Sequence, residues 1–182
     1  MGSKVLKAES LLRGLSLVLA AIAALLMGLN QQTKTVFFEP KKATVNDIEA
    51  FRVFTGVLAI AAGYHLLQLS KCLAFQFLTE SPCWCNKLVA WLCFLIDQVI
   101  TYAAFVAAMA ALQASTTALF GIGHLQWAKL CNIYTRFCVQ VGASLVCALA
   151  ATLTMAAVSA ISAHRLFRLY PASKPAVSAV QR

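Results

Sequence analysis

The chain has 182 residues, of which 61% are hydrophobic and 12% are charged, and its mean hydropathy is +0.79. A soluble domain is ordinarily about 45–50% apolar and roughly 25% charged, and a chain of this length buries too small a share of its surface to hide the excess. The composition therefore argues against a soluble globular domain, excludes a disordered chain, and indicates a protein that lies in lipid.

Four apolar runs follow one another along the chain, at about residues 11–30, 51–70, 88–112 and 137–163. Each is long enough for a spanning helix, which needs about 20 apolar residues. Their apolar residues are continuous rather than alternating, which argues against a β-barrel. The first run has no A-x-A-like cleavage site at its end, so we expect a retained span rather than a signal peptide. The sequence therefore predicts an all-α membrane protein: one four-helix transmembrane domain over residues 1–182, with residues 164–182 as a cytosolic tail.

The basic residues predict which side of the membrane each loop faces. With the N-terminus in the cytosol, the inner side carries Lys4, Lys7, Arg13, Lys71, Lys87, Arg165, Arg168, Lys174 and Arg182. The outer side then carries Lys34, Lys41, Lys42, Arg52, Lys129 and Arg136. The positive-inside rule favours this orientation, with both termini cytosolic. An anionic inner leaflet is then a simpler partner for the net charge of +9 than nucleic acid is.

Small residues recur at every fourth position on three of the runs. The stripes are Ala20, Ala24 and Gly28; Ala103, Ala107 and Ala111; and Ala148, Thr152, Ala156 and Ala160. Small residues at this spacing let helix backbones approach closely in lipid. Two interpretations stay open: the stripes hold the four helices together, or at least one stripe faces another protomer.

Asp97 is the only acidic residue within the predicted runs. A charge at the centre of a span costs about 2.5–3.5 kcal/mol on insertion scales, so we expect Asp97 to face the bundle interior with a partner. Arg13 is the basic residue well inside the first run, and we predict an intramembrane Arg13–Asp97 ion pair with Tyr102 or Gln98 nearby. The pair is either a structural latch or part of a conduction path. No proline interrupts a run and no second acid follows Asp97, which favours the latch.

Five cysteines lie outside the middle of the spans. Cys72, Cys83 and Cys85 are in or beside the predicted inner loop, where palmitoylation and unmodified thiols both fit. Cys131 and Cys138 are at the outer end of the fourth run, in an oxidising setting. Seven residues of straight helix would separate these two by about 10 Å, too far for a disulfide. A bond between them therefore requires the helix to begin after Cys131.

No catalytic constellation stands out in the sequence. It contains no phosphate loop, GxGxxG, HExxH or Cys/His metal pattern, and no histidine has an acid and a nucleophile at a suggestive spacing. We therefore expect no enzyme activity, no cofactor and no metal site.

A set of residues spread over nearly the whole chain resembles a known family. The set comprises Ala8, Glu9, Leu11, Leu12 and Arg13; Asp97, Gln98 and Tyr102 before an Ala-rich helix; Trp127, Cys131, Phe137 and Cys138; and Arg165, Leu166, Phe167, Tyr170 and Pro171. The pattern resembles the Casparian strip membrane domain protein (CASP) family of land plants, within its CASP-like branch and the second subgroup of that branch.

The resemblance implies a four-helix plasma-membrane protein related in architecture to MARVEL domains, with both termini cytosolic. Founding members of the family assemble into immobile membrane platforms and guide local cell-wall modification by recruiting secreted enzymes. The Arg and Asp hallmarks of the family correspond to Arg13 and Asp97. Its paired cysteines of the second outer loop correspond to Cys131 and Cys138.

Two departures from the family pattern narrow the expected role. The first-outer-loop signature of the founding members is absent from residues 31–50, which argues against a place in Casparian strips, and Gln113 stands where many relatives carry Glu. We expect a non-enzymatic scaffold that binds membrane lipids, forms homo-oligomers and hetero-oligomers with family members, and recruits partners such as secreted wall-modifying enzymes. The alternative is a small channel or transporter that uses Asp97.

Overall fold

The computed structural model describes residues 2–36, 39–44, 49–78, 87–120 and 135–169. Its four long helices are α1 (Gly2–Gly28), α2 (Glu49–Leu78), α3 (Lys87–Phe120) and α4 (Thr135–Leu169). Each contains a segment long and apolar enough to cross a membrane: Ala8–Gly28, Glu49–Lys71, Leu88–Phe120 and Thr135–His164. The predicted class, an all-α membrane protein with four spanning helices, is confirmed.

The helices form a bundle in which chain neighbours pack side by side. The principal contacts of α1 are with α2 and α4, and α3 packs against the same two helices, so α1 and α3 face each other across the bundle diagonal. Because four crossings return the chain to its starting side, the start of α1 and the end of α4 lie at one end of the bundle. We call this the terminal end and the opposite end the hairpin end.

The bundle exposes many large apolar side chains and buries many small ones, beside a smaller number of large buried side chains. Fully buried small residues include Ala20, Ala23, Ala61, Ala104, Ala111, Ala148 and Ala151. The exposed stripe of α1 consists of Leu11, Leu15, Val18, Ile22 and Leu25, and the exposed Leu29 follows directly after the helix. Lipid chains solvate Leu, Val and Ile as well as another helix would, so close backbone packing rather than burial of large side chains holds such helices together.

An antiparallel hairpin joins α1 to α2 at the hairpin end. Strand β1 (Gln31–Val36) pairs with β2 (Glu39–Thr44), in a register that runs from Gln31 opposite Thr44 to Val36 opposite Glu39. The sequence predicted only an outer loop here. Threonine and valine favour extended backbone in β1, and Pro40 is tolerated in β2 because both strands of a two-stranded sheet are edges.

The helices extend beyond the apolar runs of the sequence. α1 already begins at Gly2, α3 continues to Phe120, and α4 continues to Leu169. The first residues of the segment predicted as a tail therefore belong to α4. Apolar content marks the part of a helix that meets lipid and carries no signal for where the helix ends in water.

Candidate functional site

Arg13 and Asp97 meet inside the bundle. Arg13 Nη2 donates to Asp97 Oδ2 at 2.8 Å, and Nη1 donates to Oδ1 at 3.2 Å. This is the bidentate geometry that makes arginine–carboxylate pairs strong. The two residues are 4% and 3% exposed. The structure thus brings the two predicted residues together, across the diagonal between α1 and α3.

Glu9 supplies a second carboxylate to the same guanidinium. Its Oε1 accepts from Arg13 Nε at 3.3 Å and from Nη2 at 3.2 Å, and the side chain is buried. Glu9 precedes the predicted run at residues 11–30, but the candidate span of α1 starts at Ala8, so Asp97 is not the only acid within a span. The signal that could have found Glu9 is its position one helical turn before Arg13, a spacing at which opposite charges pair.

Ser162 connects the fourth helix to this group. Its buried Oγ lies 3.5 Å from Arg13 Nη2, so α1, α3 and α4 all contribute polar atoms around one guanidinium. We call Glu9, Arg13, Asp97 and Ser162 the ionic cluster. Arg13 lies five residues into its candidate span and Asp97 nine residues into its own, roughly 8 and 14 Å along the helix axes from the first residues of these spans.

Gln98 and Tyr102, which the sequence placed near the ion pair, hydrogen-bond elsewhere. Gln98 Oε1 accepts from Ser159 Oγ on α4. Gln98 Nε2 lies 3.4 Å from Tyr102 Oη and donates to it. Asp97 therefore faces the interior while Gln98 and Tyr102 border the lipid between α3 and α4.

His65 of α2 is a buried polar residue that the sequence did not single out. It is 2% exposed, and within the described part of the chain neither ring nitrogen has a hydrogen-bond partner. Its ring meets Tyr64 edge-on, with centroids 5.5 Å apart. Tyr64 Oη in turn donates to the Cys93 carbonyl at 3.3 Å and accepts from Gln68 Nε2 at 2.7 Å.

Three hydrogen bonds tie α1 and the turn after it to α4 beyond the ionic cluster. They join Ser16 to Thr154 at 2.8 Å, Ser144 Oγ to the Ala23 carbonyl at 2.8 Å, and Asn30 Nδ2 to the Phe137 carbonyl at 3.0 Å. Hydrogen bonds between helices in lipid contribute about 0.6 kcal/mol each on average. These contacts fix the register of α1 against α4 along most of its length.

The cysteine predictions fall mostly outside the described residues. Cys138 is disulfide-bonded, and Cys93 and Cys147 are free. α4 begins at Thr135, after Cys131, as a Cys131–Cys138 bond requires. Cys131 itself lies outside the described residues, so this pairing stays a prediction.

Palmitoylation of Cys72, Cys83 and Cys85 also stays a prediction, because Cys83 and Cys85 lie outside the described residues and only the backbone of Cys72 is described, in α2. Within the described ranges, no three His, Cys, Asp or Glu side chains converge in a way that could hold a metal ion.

Comparison with known proteins identifies the family. The profile of the Casparian strip membrane protein domain matches residues 2–154. The rice protein CASP-like protein 2C1 is 54% identical over 166 residues, which cover 91% of this chain and 86% of the relative. Maize CASP-like protein 2C2 is 51% identical, covering 90% of both chains, and poplar CASP-like protein 2C1 is 40% identical, covering 93% of this chain and 94% of its own. No solved structure matches the chain. The chain belongs to the CASP family of plant membrane proteins, in its CASP-like branch.

Proposed function

We propose that this multi-pass protein is a non-enzymatic scaffold of the plasma membrane, with both termini in the cytosol. Copies of the chain associate with one another and with family members to mark out a membrane zone. The basic residues of the cytosolic side bind anionic lipid headgroups, and the outer loops recruit secreted partners that modify the cell wall nearby.

The observation that carries this proposal is the buried ion pair of Asp97. Its carboxylate is held in a bidentate ion pair by Arg13 from the helix across the diagonal. A buried pair of this geometry favours one arrangement of the helices, because separating the partners leaves charges without compensation in lipid. The arrangement supports a latch that keeps the bundle rigid, which suits a building block of a larger assembly.

The interior beyond the latch supports the same conclusion. Toward the hairpin end the described core is filled by fully buried apolar side chains, among them Met27, Phe51, Phe54, Leu58 and Ala111. A solute path through the bundle would have to pass these side chains, and a path is usually lined by several polar groups. Asp97 is therefore separated from the hairpin end by close-packed apolar residues.

Single-particle tracking in plant cells tests the scaffold proposal. The full chain carrying a fluorescent protein at its C-terminus should form clustered patches in the plasma membrane, with diffusion slowed at least tenfold relative to a monomeric four-span control protein. Free diffusion of single particles at every expression level would contradict it. Protease protection of the two tagged termini in plasma-membrane vesicles tests the cytosolic orientation separately.

One observation favours the alternative, a channel or transporter that uses Asp97. His65 is buried with no partner for either nitrogen among the described residues, and an unsatisfied ionisable group inside a membrane bundle is a recognised mark of a proton or ion path. Flux through vesicles that contain the purified protein tests this function. Flux that Asp97→Asn abolishes and Glu49→Gln preserves would support the alternative, since Glu49 is an exposed acid at the start of α2. If the wild-type protein gave no flux, the alternative would be contradicted and the scaffold would remain the proposed function.

A further inference from the structure

A groove that opens to lipid runs between α3 and α4. The groove has a volume of about 230 Å³, and its lining includes Phe94, Gln98 and Tyr102 from α3 and Ala156, Ser159 and Ala160 from α4. Most of the groove lining is apolar, with small alanines on α4, and the polar groups of Gln98, Tyr102 and Ser159 lie among these apolar side chains. This combination is unusual for a surface that meets only lipid chains.

The hydrogen bonds of the groove are incomplete among the described residues of one chain. Gln98 Oε1 accepts from Ser159, and an amide oxygen can accept a second bond. Tyr102 Oη accepts from Gln98 Nε2, and among the described residues no acceptor receives the Tyr102 O–H. Tyr102 is 62% exposed. Gln98 Nε2 carries two N–H groups and donates only one of them to Tyr102. The groove therefore presents donors from Tyr102 and Gln98, and an acceptor at Gln98 Oε1, to whatever lies against it.

The depth of Tyr102 in the membrane restricts which chemical groups can lie against the groove. Tyr102 lies two residues from position 104, the midpoint of the candidate span Leu88–Phe120, which is roughly 3 Å along the helix axis. Hydrocarbon at this depth offers no hydrogen-bonding group, whereas headgroups and ester carbonyls lie far from the middle of the bilayer. The missing acceptor is therefore most readily supplied by a side chain of another membrane-spanning helix.

The small residues of α4 point to the same surface. The fourth-span stripe found in the sequence divides in the structure: Ala148 and Thr152 are buried in the bundle, whereas Ala156 and Ala160 are exposed at the groove. The exposed pair is thus free of the packing that holds the four helices together. Small residues four positions apart allow a second helix to approach closely.

We propose that this groove is the surface through which two copies of the chain associate, with α3 and α4 of each protomer facing those of the other about a two-fold axis. The proposal rests on the self-association in the proposed function and names its surface. A two-fold contact must be self-complementary, and the Tyr102 O–H and the Gln98 Oε1 can meet this requirement as donor and acceptor. Tyr102 O–H of one protomer donates to Oε1 of the partner's Gln98, and the reciprocal bond forms across the axis.

Association in lipid vesicles tests the proposal with two pairs of variants. The full chain is labelled with one fluorophore and reconstituted into phosphatidylcholine vesicles containing phosphatidylglycerol, and the dimer fraction is measured by single-molecule photobleaching over a range of protein-to-lipid ratios. Tyr102→Phe removes both reciprocal bonds and should lower the association constant on the order of tenfold. Its control is Thr116→Val, which removes an exposed hydroxyl of α3 away from the groove.

The second pair of variants tests the shape of the groove. Ala160→Trp fills it with an indole and should reduce dimers to the level of a monomeric membrane protein at the ratio where the wild-type chain is half dimeric. Ile60→Trp places the same side chain on the exposed face of α2 and should leave the dimer fraction unchanged. Both groove residues are exposed, so circular dichroism and gel filtration should show folded protein for every variant.

The outcomes separate this proposal from the scaffold function. If the wild-type chain dimerised and neither groove variant lowered the dimer fraction, the proposed surface would be wrong and self-association would still hold. A wild-type chain that is monomeric at all ratios would overturn both. A lipid seen on monomeric wild-type protein by native mass spectrometry, and lost in Ala160→Trp, would assign the groove to lipid and also overturn the proposal.

Discussion

The ionic cluster predicts an order of damage among three substitutions. Arg13→Met removes the cation that Glu9 and Asp97 share and leaves two carboxylates close together in the bundle interior. Asp97→Asn and Glu9→Gln each keep one carboxylate against Arg13, so the charges of the cluster then balance. We expect Arg13→Met to destabilise the protein most, Asp97→Asn less, and Glu9→Gln least.

The contacts set the size of each loss. Removing one partner of a buried ion pair costs about 3–5 kcal/mol, which we expect for Arg13→Met. Asp97→Asn exchanges bonds of 2.8 and 3.2 Å for weaker neutral ones while Glu9 still neutralises Arg13, so about 2 kcal/mol is expected. Glu9→Gln weakens bonds of 3.2 and 3.3 Å and should cost about 1 kcal/mol.

The assay is unfolding of the purified chain in mixed micelles by increasing SDS, followed by circular dichroism, which gives a free energy of unfolding for each variant. Glu49→Gln is the control, because Glu49 pairs with Arg52 on the surface and such pairs contribute at most about 1 kcal/mol. The triple variant Glu9→Leu, Arg13→Met, Asp97→Leu removes all three charges together. Its free energy of unfolding should be within about 1 kcal/mol of the wild-type value. If Arg13→Met lowered the free energy of unfolding no more than Glu9→Gln does, the idea that Glu9 and Asp97 share one cation would be refuted.

Local packing and bonding lead to three further predictions. A Cβ at Gly28 would lie 3.3 Å from a methyl carbon of α2, so Gly28→Leu should lower the free energy of unfolding by about 1–3 kcal/mol, whereas Gly14→Ala has open space around it and should be neutral or slightly stabilising. His65→Leu should raise the same free energy by about 1 kcal/mol, because it removes two buried nitrogens that have no partner among the described residues; a loss would reveal such a partner. If Cys131 and Cys138 are bonded to each other, replacing either one with Ser should give the same non-reducing gel mobility, and different mobilities would assign Cys138 another partner.

The four spanning helices could be predicted because lipid imposes a strong requirement on sequence. A segment that crosses the hydrocarbon must be apolar for about 20 residues and must pair its own backbone groups. The same requirement made Asp97 and Arg13 conspicuous, since charges are rare in such segments. The predicted positions of both residues needed only the helical rise and the centres of the spans.

Two other features were not predicted from hydropathy or apolar periodicity, because tertiary packing and local backbone pairing decide them. Glu9 precedes the apolar run, and its burial depends on where α1 passes the ends of α3 and α4. The hairpin of β1 and β2 has no alternation of apolar and polar residues that would indicate strands. Neither feature therefore leaves a pattern in the sequence that hydropathy or periodicity would detect.

The sequence also left open which small residues of each stripe pack into the core. On α4 the stripe divides, with Ala148 and Thr152 packed in the bundle and Ala156 and Ala160 at the groove. The sequence shows the spacing of the stripe but not the angle at which α3 meets α4, and that angle decides where the core ends and the groove begins. The correct face of each helix therefore follows from packing and not from the pattern of small residues.

Stability and association should respond to different substitutions, because the polar side chains of α3 face two ways. Asp97 faces the interior and is held by Arg13, whereas Tyr102 faces the groove and hydrogen-bonds only to Gln98 among the described residues. Substitutions without shared partners usually act independently. Glu9→Gln should therefore lower the free energy of unfolding in SDS without changing the dimer fraction in vesicles, and Tyr102→Phe should do the reverse. If Glu9→Gln weakened dimers as much as Tyr102→Phe does, association would depend on the ionic cluster, and the separation of an internal latch from an external contact surface would be wrong.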